Sequence, residues 1–295
     1  MGASRAERRQ RIEQKHRAGQ LLLLDVADAF YLLQQHREEL SAFETTRVTL
    51  LQRLDELHER ERLGRSRMSE LASAEAQLRR LEADLEEAKS QERMSRQLLS
   101  FLTGLDDIGA LTDPQVETPP REPQEAYLAK AGARPDLRAA EAAWQAAKKQ
   151  VGIARAGFFP TVDLDANYYV ERAGAAEDVK WDASLNVDVP ILQGGQNVGA
   201  LKEAAAKARA EKLRYDETRR RAFLDIRDAY TEFEASVAID EALQQALGAA
   251  EENYRLQVED YRLNLVSNLD VLQTLQELQN TRREAIQARY NAKRS

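Results

Sequence analysis

The 295-residue chain contains no cysteine, which excludes disulfides, thiolate metal sites and cysteine nucleophiles and suits an oxidising compartment without requiring one. Proline (7) and glycine (13) are scarce while charged residues make up 32%, a combination that favours long helices over a large compact core. No run of about 18 or more apolar residues occurs, so no transmembrane helix is expected. The formal charge of −7 is spread over interleaved signs, which gives no general basic surface for nucleic acid and no acidic tail. His16, His36 and His58 stand too far apart to pair on a helix as metal ligands and read as solvated positions. With no Ser-His-Asp set, Gly-rich phosphate loop or metal constellation, neither a cofactor nor catalysis is expected. The opening "MGASRAERRQRIEQKHRAGQ" is charged throughout and lacks the apolar stretch of a secretory signal; its Arg5, Arg8, Arg9 and Arg11 read as a solvated helix end rather than a phosphate-binding arm.

What is present is helical periodicity. Val26, Ala29, Phe30 and Leu33 share one stripe. After "RLGRSRMSE", with Gly64 as the turn residue, Leu71, Ala74, Leu78, Leu81, Leu85 and Ala88 follow a coiled-coil seam. The expected organisation is a first helical hairpin over 1–104, turning near 63–68, and a Pro-rich linker with a short helix over 105–133. A second repeat over 134–295 follows, with a helix at 135–157, a strand hairpin at 161–190 and a long helical hairpin at 196–295 turning near 263–268. Unbroken from Gln196 to Arg262, that last helix would run roughly 65 residues, or about 100 Å at about 1.5 Å per residue.

The stretch "TVDLDANYYVERAGAAEDVKWDASLNVDV" alternates apolar and polar side chains on both arms. Each arm is about ten residues, the length a tilted strand needs to cross a bilayer core. Sliding the sequence by 200 positions pairs "LDVADAF" at 24–30 with "LDIRDAY" at 224–230, and "RLGRSRMSEL" at 62–71 with "RLNLVSNLDV" at 262–271. Two helical hairpins of one design are therefore expected, the second turning on Asn264 where the first turns on Gly64.

In this order, "LTG" at 102–104, "RPDL" at 134–137, "FFPTVDLDANY" at 158–168, "VPILQGGQ" at 189–196 and the two turns ending in "SEL" and "LDV" resemble the TolC-like outer membrane efflux proteins. The resemblance implies a mainly α fold of long antiparallel coiled-coil helical hairpins, the protomer of an α-barrel, plus a two-stranded contribution to a transmembrane β-barrel. It implies a homo-trimer in the outer membrane with helices in the periplasm. The duct would be passive and act with a periplasmic adaptor and an inner membrane transporter in an efflux pump or type I secretion system. Against the family pattern, the chain is expected to lack the signal, the first helix and the first strand hairpin.

A lone ribbon in hydrocarbon would leave its edge N–H and C=O groups unpaired, so other strands must complete it. Val162, Leu164, Tyr168, Trp181, Leu185 and Val187 suit lipid, while Asp163, Asp165, Asn167, Asn186 and Asp188 suit a water-filled lumen. By resemblance, Asp270, Tyr261, Glu70 and Ser69 match the periplasmic gate, although the family's second gate Asp is Gln273 here and its tethering Arg falls at Val266. Leu63, Gly64, Ser66, Leu263, Asn264 and Ser267 match the tips that meet the adaptor. Asp270 and Glu70 also suit helix N-termini, and Gly64 and Asn264 suit any tight turn. Two other readings stay open at this level: a soluble coiled-coil interaction protein carrying one hairpin, and a non-functional fragment of an efflux channel.

Overall fold

The computed structural model describes residues 2–64, 66–112, 122–171, 178–191 and 193–295. It contains α1 (Gly2–Arg62), α2 (Met68–Thr103), α3 (Gln124–Lys130), α4 (Pro135–Ala156), β1 (Thr161–Tyr168), β2 (Trp181–Asp188), α5 (Gln196–Arg262) and α6 (Asn268–Arg294), with one 3₁₀ turn at Ala131–Ala133. Helices end where the chain supplies residues that tolerate a left-handed backbone: Gly64 at φ +70°, Gly104 at +70° and Asn264 at +58°. The two interhelical turns also close with equivalent bonds, Gly64 N–H to the Glu61 carbonyl at 2.8 Å and Asn264 N–H to the Tyr261 carbonyl at 3.0 Å. The repeat read at an offset of 200 therefore holds in the backbone.

The chain groups into two compact units, one of residues 1–18 and 125–225, the other of residues 19–124 and 226–295. In the first, α4 buries Leu137, Ala139, Ala142 and Ala146. Ala3 and Ala6 of α1 and Ala222 of α5 are buried in the same unit, so its core is made largely of side chains small enough to let helices approach closely. Trp144 and Tyr215 add a stacked pair with centroids 5.7 Å apart. The "RPDL" segment has a visible structural task. Pro135 occupies the first turn of α4. Arg134 grips Asp136 through two bonds of 3.1 and 2.7 Å, the Ala222 carbonyl at 3.2 Å and Asp225 at 3.0 Å, which ties the start of α4 to α5.

In the second unit the expected seam is buried along its whole length, from Leu71 to Ala88. It packs with Leu50, Leu54 and Leu57 of α1 and with Val271, Leu272 and Leu275 of α6. A separate cluster joins Ala29 and Leu33 to Leu99 and Ile108, with Val26 and Phe30 packed against it. Ile108 comes from the stretch read as a linker. The Arg96 guanidinium donates to its carbonyl at 2.7 Å, so the start of that stretch lies against helices instead of spanning freely. Pro114, Pro119 and Pro120 fall in 113–121, and most of residues 171–180, expected to form the external loop between the two strands, fall in 172–177; both stretches lie outside the described residues.

Between the two clusters the interior turns polar. Gln35 donates to Glu39 at 3.0 Å, both residues being buried, and His36 Nδ1 meets Ser95 Oγ at 2.5 Å. This corrects the reading of His36 as a solvated position. The Ser95 hydroxyl already donates to the Gln91 carbonyl at 2.7 Å, so it accepts from the imidazole and links α1 to α2.

Candidate functional site

The strands form one two-stranded antiparallel sheet in register from Thr161↔Asp188 to Tyr168↔Trp181. Eight pairs form rather than the ten or so expected for each arm. One further backbone bond follows, Tyr169 N–H to the Lys180 carbonyl at 2.8 Å. There the ladder stops: the Tyr169 hydroxyl donates to Asp182 at 2.7 Å, and Val170, expected on the first arm, is left 96% exposed.

Period-two alternation and this register place Val162 opposite Val187, Leu164 opposite Leu185, Ala166 opposite Ala183 and Tyr168 opposite Trp181 on one face. The other face pairs Asp163 with Asn186, Asp165 with Ser184, Asn167 with Asp182 and Thr161 with Asp188. Amide to carboxylate bonds knit the polar face, Asn186 to Asp165 at 3.2 Å and Asn167 to Asp182 at 3.1 Å. Neither face has a cover. Every strand residue is exposed except the half-buried Asp182, and Leu164 and Leu185 stand 72% and 66% exposed. A soluble hairpin of this composition would bury its apolar side against a helix; this one does not.

At the interhelical turns the sequence-matched residues fall into two groups. Leu63 and Leu263 project into solvent, and Gly64 and Asn264 supply the left-handed bend. Asp270 is engaged in a capping box at the start of α6: its carboxylate accepts from Ser267 N–H at 2.8 Å and from Ser267 Oγ at 2.7 Å, while its own N–H donates to Ser267 Oγ at 3.4 Å. The Ser267 hydroxyl bond, followed by the backbone bond, holds the Asp270 carboxyl below the ordinary aspartate range. The first turn is built differently. Its cap position, Arg67, makes no side-chain cap bond, and Glu70 accepts from Ser66 Oγ at 2.8 Å. Ser69 is exposed and offers its carbonyl to Ser73.

Tyr261 sits in a group that periodicity did not reveal. Its buried ring lies under the Arg53 guanidinium at 3.8 Å and beside that of Arg60 at 4.5 Å. Arg53 is itself buried and donates to Asn268 Oδ1 at 3.0 Å and Glu56 at 2.9 Å, while Arg60 reaches Glu56 at 3.3 Å. Burial pushes the Tyr261 hydroxyl pKa up, against the pull of both arginines. Arg53, Asn268 and Tyr261 thereby tie α1 to both helices of the second hairpin.

The capping box yields a measurable expectation. Ser267→Ala should cost about 1 kcal/mol of stability, the usual worth of an N-cap, and should return the Asp270 pKa towards its ordinary value in an NMR titration. Because that pKa is depressed in the folded protein, the box contributes its stability above the unfolded value of about 3.9 and loses it as the pH falls through the folded one. The thermal midpoints of the parent and the Ala variant should therefore converge in strong acid.

Among the described residues no group of three or more acidic or His side chains could hold a metal ion, and no helix is long and apolar enough to cross a membrane. A family model described as "Outer membrane efflux protein" matches residues 129–295. The outer membrane protein TolC of Escherichia coli K12 is 24% identical over 290 residues, covering 92% of this chain and 59% of TolC. The cation efflux system protein CusC of the same strain is 24% identical over 302 residues, covering 97% of this chain and 65% of CusC. The chain thus spans about three fifths of the length of these relatives. Its fold is that of solved outer membrane channels. The open-state MtrE channel of Neisseria gonorrhoeae superposes with a TM-score of 0.85 at 24% identity, covering 99% of this chain and 68% of that one.

Proposed function

The chain belongs to the outer membrane efflux protein family, and from that premise we propose that it is one protomer of a passive export duct through the outer membrane, not an enzyme. The observation that carries this reading is the bare ribbon. One face is apolar, the other holds Asp and Asn, both are open, and each strand leaves one edge without a partner strand. In a bilayer, unpaired backbone groups cost several kcal/mol each, so such a ribbon persists only as part of a closed barrel. Val162, Leu164, Tyr168, Trp181, Leu185 and Val187 then meet lipid, and Asp163, Asp165, Asn167, Asn186 and Asp188 line the lumen.

The helical hairpins extend the duct into the periplasm. Asp270 narrows its far end, with Tyr261 as a tether and Ser69 and Glu70 as the first-repeat partners, and rings of carboxylates there favour cations. Leu63, Gly64, Ser66, Leu263, Asn264 and Ser267 form the tips that an adaptor protein meets, which couples the duct to an inner membrane transporter. Further copies of the chain, a homo-trimer by the family pattern, supply the neighbouring strands.

A closed barrel resists detergent until it is heated. Protein extracted from outer membranes is expected to run as a compact, high-mass band when loaded cold and as the single chain after boiling. A chain recovered from the soluble fraction without detergent, and insensitive to heating before electrophoresis, would overturn the assignment.

A further inference from the structure

Charge is unevenly placed along this acidic chain, and the exception lies beside the ribbon. The first eleven residues carry Arg5, Arg8, Arg9 and Arg11 against the single acid Glu7. The last ten residues before β1's connection, 148–157, carry Lys148, Lys149 and Arg155 and no acid, and the first seven of α5 add Lys202 and no acid. All eight basic side chains are exposed. They belong to one compact unit, in which Glu7 and Gln10 of α1 line the same groove as Ile153 of α4 and Ala200 of α5; Glu203 and Glu211 lie along that groove with Lys207 and Arg214, so the eight cations sit around it and not in it. The α4 and α5 ends are tied together where the chain enters and leaves the ribbon, Asn197 donating to the Gly157 carbonyl at 2.5 Å.

Apolar side chains stand among these charges. Ile153 is 57%, Phe159 67% and Ile191 88% exposed. Exposed aromatic and aliphatic groups flanked by cations are the chemistry of a bilayer interface with anionic headgroups: the apolar groups enter the acyl boundary and the cations meet phosphate.

We propose that this basic belt binds the phosphate groups of anionic phospholipid in the leaflet facing the helices, and so fixes how deep the ribbon sits. The proposal rests on the channel reading above. Its partner is a lipid surface, because the cations of α4 and α5 lie within a few helical turns of the apolar ribbon along the chain, and those of α1 belong to the same compact unit. A Lys or Arg held at an anionic surface gains roughly fivefold in partitioning.

The test is flotation of the full chain, transferred from detergent into vesicles of phosphatidylcholine alone or with added phosphatidylglycerol. Anionic lipid is expected to raise the bound fraction, and salt is expected to reverse that gain. Replacing Arg5, Arg8, Arg9 and Arg11 together with Gln should lower the anionic-vesicle partition by up to about six hundredfold and leave neutral-vesicle binding unchanged. Replacing the same four with Lys should retain the gain, which separates lost charge from lost folding. Equal binding to both vesicles, or loss in the Lys variant as large as in the Gln variant, would overturn the belt alone. Failure to float with either vesicle would overturn the channel reading and the belt with it.

Discussion

Leu164→Arg is expected to empty the outer membrane of assembled protein. Leu164 faces Leu185 at the fourth of eight ladder pairs and is 72% exposed on the apolar side of the ribbon; in the proposed duct it meets lipid near mid-bilayer. An arginine facing lipid at that depth costs about 2–4 kcal/mol. The cost recurs in every copy around the barrel, so the penalty on assembly is a multiple of the single-chain figure. The boiling-sensitive band should vanish and the chain should move to the soluble or aggregated fraction. Asp163→Asn, a neighbouring change on the polar face, should leave assembly intact because its side chain meets water in either form. If both variants assembled like the parent, the two faces would have been assigned to the wrong media.

Arg53→Ala is the second large effect expected, and it acts on stability. The substitution strips Asn268, which has no solvent exposure, of the donor to its carbonyl oxygen and removes the cation packed 3.8 Å over the Tyr261 ring. Leaving a buried acceptor without its donor costs about 1–3 kcal/mol and a desolvated cation–π contact contributes up to about 2. Glu56, the other partner, has a side chain 38% exposed and can turn to water, so it adds little. Among the described residues Arg53 Nη2 and Asn268 Nδ2 have no hydrogen-bond partner, which already lowers what the native group contributes. The net expectation is about 2–4 kcal/mol, read as a lower thermal midpoint by helix circular dichroism. Arg53→Lys should fall between, because an ammonium keeps the charge but not the planar fork. Arg79→Ala, which removes an exposed pair with Glu82, should change the midpoint little.

The contrast between these two sites shows which parts of the molecule are legible in sequence. The ribbon is readable because its signal is local: alternation states the faces, and Pro190 after β2 with "QGG" beyond it marks the exit. The α2 seam and the turns at Gly64, Gly104 and Asn264 are readable for the same reason, a period or a backbone requirement within a few residues. Arg53 and Asn268 lie 215 positions apart, and nothing in an exposed-looking Arg or a helix-start Asn announces that the other will bury it. His36 and Ser95 escape likewise, because a polar layer inside a helical bundle breaks the apolar period that would locate it. Arg134 is an intermediate case. Its motif stood out, but its partners, the Ala222 carbonyl and Asp225, come from the middle of α5.

The capping box at Asp270 bears on both readings of that residue. A carboxylate held by Ser267 N–H and Oγ has less freedom to swing towards a neighbouring copy than Glu70, which is held by one hydroxyl. If the aperture narrows through Asp270, the cap positions the charge.

A ribbon with two free edges and no cover has a consequence for how the protein comes into being. In the proposed duct, closing β1 and β2 into a barrel takes strands from further copies, so the final stage of maturation is of higher than first order in chain. Diluting nascent protein should lengthen its half-time while leaving the helices, whose core is shared within one chain, formed early. Until that encounter the open edges of β1 and β2 offer a template-like border at which off-pathway stacking can start.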